Sequence, residues 1–282
     1  MEMILPPEPP IQSLMDYIFD NYSDFDDFCE FTEDLEPEPV DVEECVECHK
    51  ASYYDEGNPI YECTNFKQVY LFRYLATQFV QSDFVIQEHV RHLIDNKTDL
   101  SAVSLGGGPA PEALALMNEL SSCEGEYNLF FNNIDYEASW EDIYHDVSHQ
   151  FSNYIQNVKL RTDFSCHDIT SYVSEKLYDI VFISWVLSEI SEQQDILKVL
   201  KVASDLVTPQ GCIIIMDSWE SKVVENISSL VRKIAELTIQ EHDERWTKNC
   251  GVQFPDDIRE FFKVRLYCDT AYWVLQNSSD EF

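Results

Sequence analysis

Residues 102–112 read Ala-Val-Ser-Leu-Gly-Gly-Gly-Pro-Ala-Pro-Glu, and this stretch decides the fold. A short apolar run, Ala102 to Leu105, has the look of a buried strand. It stops at Gly106, Gly107 and Gly108, after which Pro111 and Glu112 open a helical stretch. Glycine has no side chain to keep a ligand from the backbone, and the free amides of a helix start favour an anionic or polar group. Three of the chain's seven glycines lie at this one turn. That concentration points to a nucleotide-type cofactor site.

Downstream, strand-like and helix-like segments alternate. Asn128–Ile134, Val158–Arg161, Asp179–Ser184 and Cys212–Met216 read as strands after Ala102–Leu105. Pro111–Ser121, Trp140–Ile155, Thr170–Leu177, Gln193–Val207 and Lys222–Glu241 read as helices. Repeated βα units imply an α/β domain with a mostly parallel sheet and helices on both faces. The ending differs. Phe261–Cys268 and Ala271–Leu275 read as two strands joined by Asp269-Thr270, a link that allows only an antiparallel hairpin. Upstream, apolar positions from Asn65 to Asp95 recur at helical spacing.

This order, with glycines after the first strand, resembles the class I S-adenosylmethionine-dependent methyltransferases over about residues 65 to 276. The resemblance implies a Rossmann-like seven-stranded sheet with an antiparallel last strand and a cofactor over the carboxyl ends of the first strands. It implies that Gly106, Gly107 and Gly108 pass beside the methionine portion of the cofactor. Two positions depart from the family pattern: Ser104 replaces the usual acid and Ala110 a spaced glycine. Asp135, which closes Asn132-Asn133-Ile134-Asp135-Tyr136, matches the acid that accepts hydrogen bonds from both ribose hydroxyls, with Tyr136 beside it. A carboxylate suits that role because it accepts two hydrogen bonds at once. Asp168 is preferred over Asp163 for the adenine amino group; a helix cap is its other reading. Ser184 ends the fourth strand, facing the transferring methyl. Trp185 and Glu189 follow it as candidates for a substrate wall and a base, on one face if a helix begins there. Arg73, with Tyr70 and Tyr74 on one helical face, matches a segment that places a cation on the cofactor's carboxylate.

No specific catalytic residue is chosen, because methyl transfer from a sulfonium depends largely on alignment and needs a base only when the nucleophile starts protonated. The expected function is S-adenosylmethionine-dependent methyl transfer to a basic protein, RNA or amine-bearing small molecule. A catalytically silent relative, acting as a binding module, is the alternative. An NAD-dependent dehydrogenase ranks last, since Gly106-x-Gly108-x-x-Pro111 lacks the third small residue of the dinucleotide fingerprint.

Composition narrows the partners. The chain has 282 residues, 45% of them hydrophobic, and a formal charge of −35. Residues 1–62 carry 19 acidic side chains against the single Lys50, and seven of the eleven prolines. Residues 1–62 are therefore expected to be an acidic leader, largely disordered or partner-binding. A methyltransferase-like domain over 63–282 then divides into a helical cover (63–96), a core (97–276) and a tail (277–282). Within the leader, Leu14 to Phe31 interleaves aromatics with aspartates, which fits either a partner-binding segment or a short helix docked on the domain itself. So acidic a field repels phosphate backbones and attracts amines and basic proteins, which disfavours RNA as a partner. Cys45, Cys48 and His49 invite a zinc reading, but no second such pair completes it, so no metal is expected. Nine cysteines without a signal segment, and no apolar run long enough for a bilayer, lead to the expectation of a soluble protein inside the cell, cytoplasmic or nuclear, with no membrane partner.

Overall fold

The computed structural model describes residues 10–23, 42–51, 61, 63–94, 97–234 and 237–277. Its centre is a seven-stranded sheet: β1 (Asp99–Leu105), β2 (Tyr127–Asp135), β3 (Val158–Cys166), β4 (Tyr178–Ser184), β5 (Val207–Asp217), β6 (Leu237–Asn249) and β7 (Tyr267–Asn277). The spatial order is β3-β2-β1-β4-β5-β7-β6. All neighbours are parallel except β7, which runs antiparallel to both β5 and β6. This is the Rossmann-like α/β sheet expected, with its antiparallel ending.

The order fixes where a ligand can enter. β1 pairs with β2 on one side and β4 on the other, so the chain reverses its direction of travel across the sheet between them. Helices after β1 and β4 therefore leave toward opposite faces, which opens a crevice outside the carboxyl ends of these strands. Strand β4 (Tyr-Asp-Ile-Val-Phe-Ile-Ser) is buried at every position, as a central parallel strand covered on both faces must be.

Alternate side chains of the strands feed two cores. One holds Ala102, Phe131, Phe182, Ile214 and Val274; the other holds Val103, Val181, Ile183, Ile213 and Trp273. On the second face lie α8 (Gln193–Leu206) and α9 (Ser221–Val231), packed through Val199, Leu200 and Ile227. On the first lie α6 (Pro111–Ser121) and α7 (Trp140–Ser152) with the N-terminal helices. Those are α1 (Pro10–Tyr22), α2 (Val42–Ala51), α3 (Thr64–Tyr70), α4 (Ala76–Val85) and α5 (Arg91–Ile94). Two π-helical turns, Leu71–Leu75 and Ile86–Val90, join the last three.

Of the segment Leu14 to Phe31, the described part to Ser23 includes the end of a helix. Helix α1 docks on the domain itself through Ile11, Leu14, Met15 and Ile18. Tyr17 and Tyr22 donate to the Asp146 carboxylate of α7, and Gln12 exchanges hydrogen bonds with the backbone of Gln253. Residues 1–9, 24–41, 52–60 and 62 of the leader, and the tail from 278, lie outside the described residues.

Three expected elements need correction. Thr170–Leu177 is a turn-rich connection and not a helix. The helix expected over Lys222–Glu241 ends at Val231, and the strand β6 starts at Leu237. Phe261–Cys268 is not a separate strand: Phe261 ends α10 (Asp256–Phe261), residues 262–266 are turn and coil, and Tyr267 and Cys268 already begin β7, which pairs with β6 through the longer 250–266 connection. β6 sits at the sheet edge and carries Glu241, Asp243 and Arg245. Charges of this kind guard an exposed edge against further pairing, and they disguise the strand in the sequence.

Candidate functional site

The glycine turn leaves β1 at the switch point. Gly106 (φ 73°) and Gly108 (φ 51°) adopt left-handed backbone, as does Ala110 (φ 52°) just ahead of α6. The Gly106 amide donates to the Ile134 carbonyl, and the Ala110 amide donates to the Gly107 carbonyl, both at 2.7 Å. The close approaches to Gly106 and Gly107 come from the protein's own side chains. A Cβ on Gly106 would meet Val186 Cγ2 at 2.5 Å. One on Gly107 would meet the Asn133 carboxamide oxygen and, at 2.8 Å, Ser104 Oγ. Only Gly108 has room, its nearest neighbour being the Trp140 indole at 3.6 Å. Internal packing therefore already requires glycine at the first two positions, whatever ligand the turn meets. Ser104, in the place of the family's acid, lies buried beneath this turn with its hydroxyl unpartnered.

Asp135 stands at the end of β2 and faces the turn. Its Oδ2 accepts the Gly108 amide at 2.8 Å and its Oδ1 accepts the Glu137 amide at 2.9 Å. Each carboxylate oxygen keeps a second lone pair for another donor. Desolvation outweighs these amides and pushes the carboxyl up to about 6. Asn133, on the same strand, donates to the Gly108 carbonyl at 2.8 Å, so β2 grips the turn from two positions. Tyr136 extends from this edge with 77% of its surface exposed, uncommon for a large ring in a folded domain.

The loop after β3 runs alongside. The His167 amide donates to the Asp135 carbonyl, and the Cys166 thiol donates to the Tyr136 carbonyl. Asp168 is exposed next to them, its two oxygens engaged by the Thr170 amide and hydroxyl. It thus closes a local turn, without a helix to cap.

Across the crevice, β4 ends at Ser184, which is buried beside the Glu112 carboxyl. Trp185 follows with φ 61°, a left-handed conformation that is strained for so bulky a residue. Its amide bonds to the Met216 carbonyl and its indole N–H to Gln81 of α4. Trp185 and Glu189 do not share a helical face, because the chain turns here instead of starting a helix. Glu189, exposed at the rim, instead accepts the Tyr61 hydroxyl at 3.1 Å.

Two acids of the site escaped sequence reasoning. Glu112, in the first turn of α6, is 1% exposed; burial pushes it up to about 7, with the Ser184 hydroxyl opposing. Asp217 ends β5 as Asp135 ends β2, fully buried and accepting the Ser188 and Ser218 amides. Its position at a strand end was the available signal.

Arg73 lies in the first π-helical turn, 6% exposed, with Nε and Nη1 unpartnered. Its guanidinium is 5.5 Å from the Tyr74 ring, which links through Tyr70 (5.1 Å) to Trp140 (5.5 Å) beside Gly108. His49 packs on Phe66 at 4.3 Å as part of the core. Burial first, then Arg73 and Arg265, lower its pKa to about 3. Among the described residues no group of three or more His, Cys, Asp or Glu is placed to hold a metal ion, and no helix is long and apolar enough to cross a membrane.

No family model matches the sequence, and no curated protein sequence matches it. Solved structures do resemble the fold. An S-adenosylmethionine-dependent methyltransferase from Methanosarcina mazei is 10% identical, with 67% of this chain and 97% of that one covered and a TM-score of 0.48. The N-methyltransferase NodS from Bradyrhizobium japonicum, in complex with S-adenosyl-L-homocysteine, is 10% identical over 83% and 99%, TM-score 0.44. A TehB-like methyltransferase from Corynebacterium glutamicum is 10% identical over 84% and 98%, TM-score 0.42. At such identities and scores, none of these likenesses assigns a role to a residue of this chain.

Proposed function

We propose that this protein binds S-adenosylmethionine and transfers its methyl group to an amine-bearing acceptor, small or carried by a basic protein. The observation that carries the reading is Asp135. A carboxylate at the end of β2, tied to the Gly108 amide and flanked by an exposed Tyr136, sits at the switch point of the sheet with hydrogen-bonding capacity left over. Asp135 would accept the two ribose hydroxyls and Tyr136 would cover the adenine, with Asp168 near its amino group. The backbone at Gly108 would meet the amino-acid portion, and Ser184 would border the reacting end. Arg73 has two buried donors with no acceptor, which suits a carboxylate.

Bound there, the cofactor supplies an electrophilic methyl on a sulfonium centre. The chain contributes alignment: β1, β2 and β4 hold the turn, Asp135 and Trp185 in one rigid frame, where positioning lowers the barrier without a covalent step by the protein. The formal charge of −35 favours amines over nucleic acid as acceptors.

A second reading, a fold-retaining binding protein without turnover, draws on Val186 filling the space over Gly106 and on Ser104 in place of an acid. Thermal-shift assays with S-adenosylmethionine, S-adenosylhomocysteine and NAD test both. Stabilisation by the first two and not by NAD is expected, because a ligand that binds only the folded state raises the melting temperature. No shift with either sulfur compound would overturn cofactor binding. Binding without methyl transfer to any amine would favour the second reading.

A further inference from the structure

Four carboxyl groups gather at the carboxyl ends of the central strands: Glu112 after β1, Asp135 after β2, Glu189 after β4 and Asp217 on β5. None is ion-paired with Lys, Arg or His among the described residues. The groups repel one another, Glu189 being raised by both Asp217 and Asp135. Among them, Glu112 is 1% exposed and its Oε2 has no hydrogen-bond partner. Leaving such a group unpaired is costly, so it calls for a donor or a positive charge.

Aromatic faces surround the same place. Tyr61 lies 6.1 Å from Tyr70 and 5.9 Å from Trp140, and its hydroxyl rests on Glu189. Rings attract organic cations through their faces but offer no lone pairs to a metal ion. Carboxyls and ring faces together therefore select an organic ammonium.

We propose that this cleft is the acceptor site and that it binds a protonated alkylamine, its charge on Glu189 and its carbon chain against Tyr61 and Tyr70. The inference rests on the methyl-transfer reading for its biological sense, but amine binding can be measured without any cofactor. The shared chemistry is an alkylammonium, which either a free amine or a lysine side chain provides.

The test is calorimetric titration in moderate salt with three probes: butylamine, N-acetyl-lysine methylamide, and the norleucine analogue as neutral isostere. The expected result is saturable binding of the two amines and none of the norleucine compound. Glu189→Gln should weaken amine binding tenfold or more, whereas the exposed Glu225→Gln should leave it unchanged. A tighter lysyl probe assigns the amine to a peptide; a tighter butylamine assigns it to a small molecule. Equal binding of norleucine, or unchanged amine affinity in Glu189→Gln, overturns the proposal. If S-adenosylhomocysteine stabilises the protein while no amine binds, the acceptor site is wrong and the cofactor reading stands.

Discussion

At the scale of single residues, the buried Glu112 and the packed Gly106 make the sharpest demands. Glu112 has its pKa raised from 4.5 to about 7, chiefly by burial. The folded state therefore holds a proton that the unfolded chain has released, and stability falls as pH rises from about 4.5 to 7. At 1% exposure the full effect is on the order of 3 kcal/mol. Glu112→Gln, which cannot ionise, should flatten that part of the profile and be the more stable protein at pH 8; denaturant melts at pH 5 and pH 8 check this. An unaltered slope would mean that Glu112 is solvated. Gly106→Ala meets both a left-handed φ and Val186, and should lose about 2–4 kcal/mol. Adding Val186→Ala should relieve only the clash, leaving the backbone strain. The glycines were legible in the sequence, but their cause was not, because Val186 lies 80 positions along the chain and arrives through the β1–β4 pairing.

At the scale of elements, periodicity served well where a segment is buried on one or both faces. The range Pro111–Ser121 agrees with the helix to the residue, and the five central strands lie within their observed limits. It failed where burial is weak. β6 is a charged edge strand, and Thr170–Leu177 carries helix-forming residues but packs as a turn. Helix α1 shows the opposite: four buried apolar side chains within an acidic leader dock it on the domain. Leu14, with no exposed surface, is the test. Leu14→Ala should cost about 2–5 kcal/mol in denaturant unfolding. A loss under about 0.5 kcal/mol would mean that α1 does not contribute to the folded domain.

At the scale of the whole molecule, a net charge of −35 repels itself, and the site carboxyls add to that repulsion. Raising ionic strength from about 0.01 to 0.5 M shortens the screening length from roughly 30 Å to a few ångströms, and should raise the melting temperature. A melting temperature indifferent to salt would show that cations on the surface already neutralise the field. The sheet topology was readable from the order of segments. The gathering of Glu112, Asp135, Glu189 and Asp217 was not, because only the parallel register brings the ends of β1, β2, β4 and β5 level.

The central claim, that the β2 carboxylate beside the glycine turn holds an adenosyl ligand, is tested most directly by titrating S-adenosylhomocysteine into the wild-type protein and into Asp135→Asn. The variant keeps the shape but replaces one accepting oxygen by a donor. Wild type should bind one equivalent, and the variant should bind it about 1.5–3 kcal/mol more weakly while remaining folded. Absence of binding to the wild type, or equal affinity for both proteins, would contradict the claim.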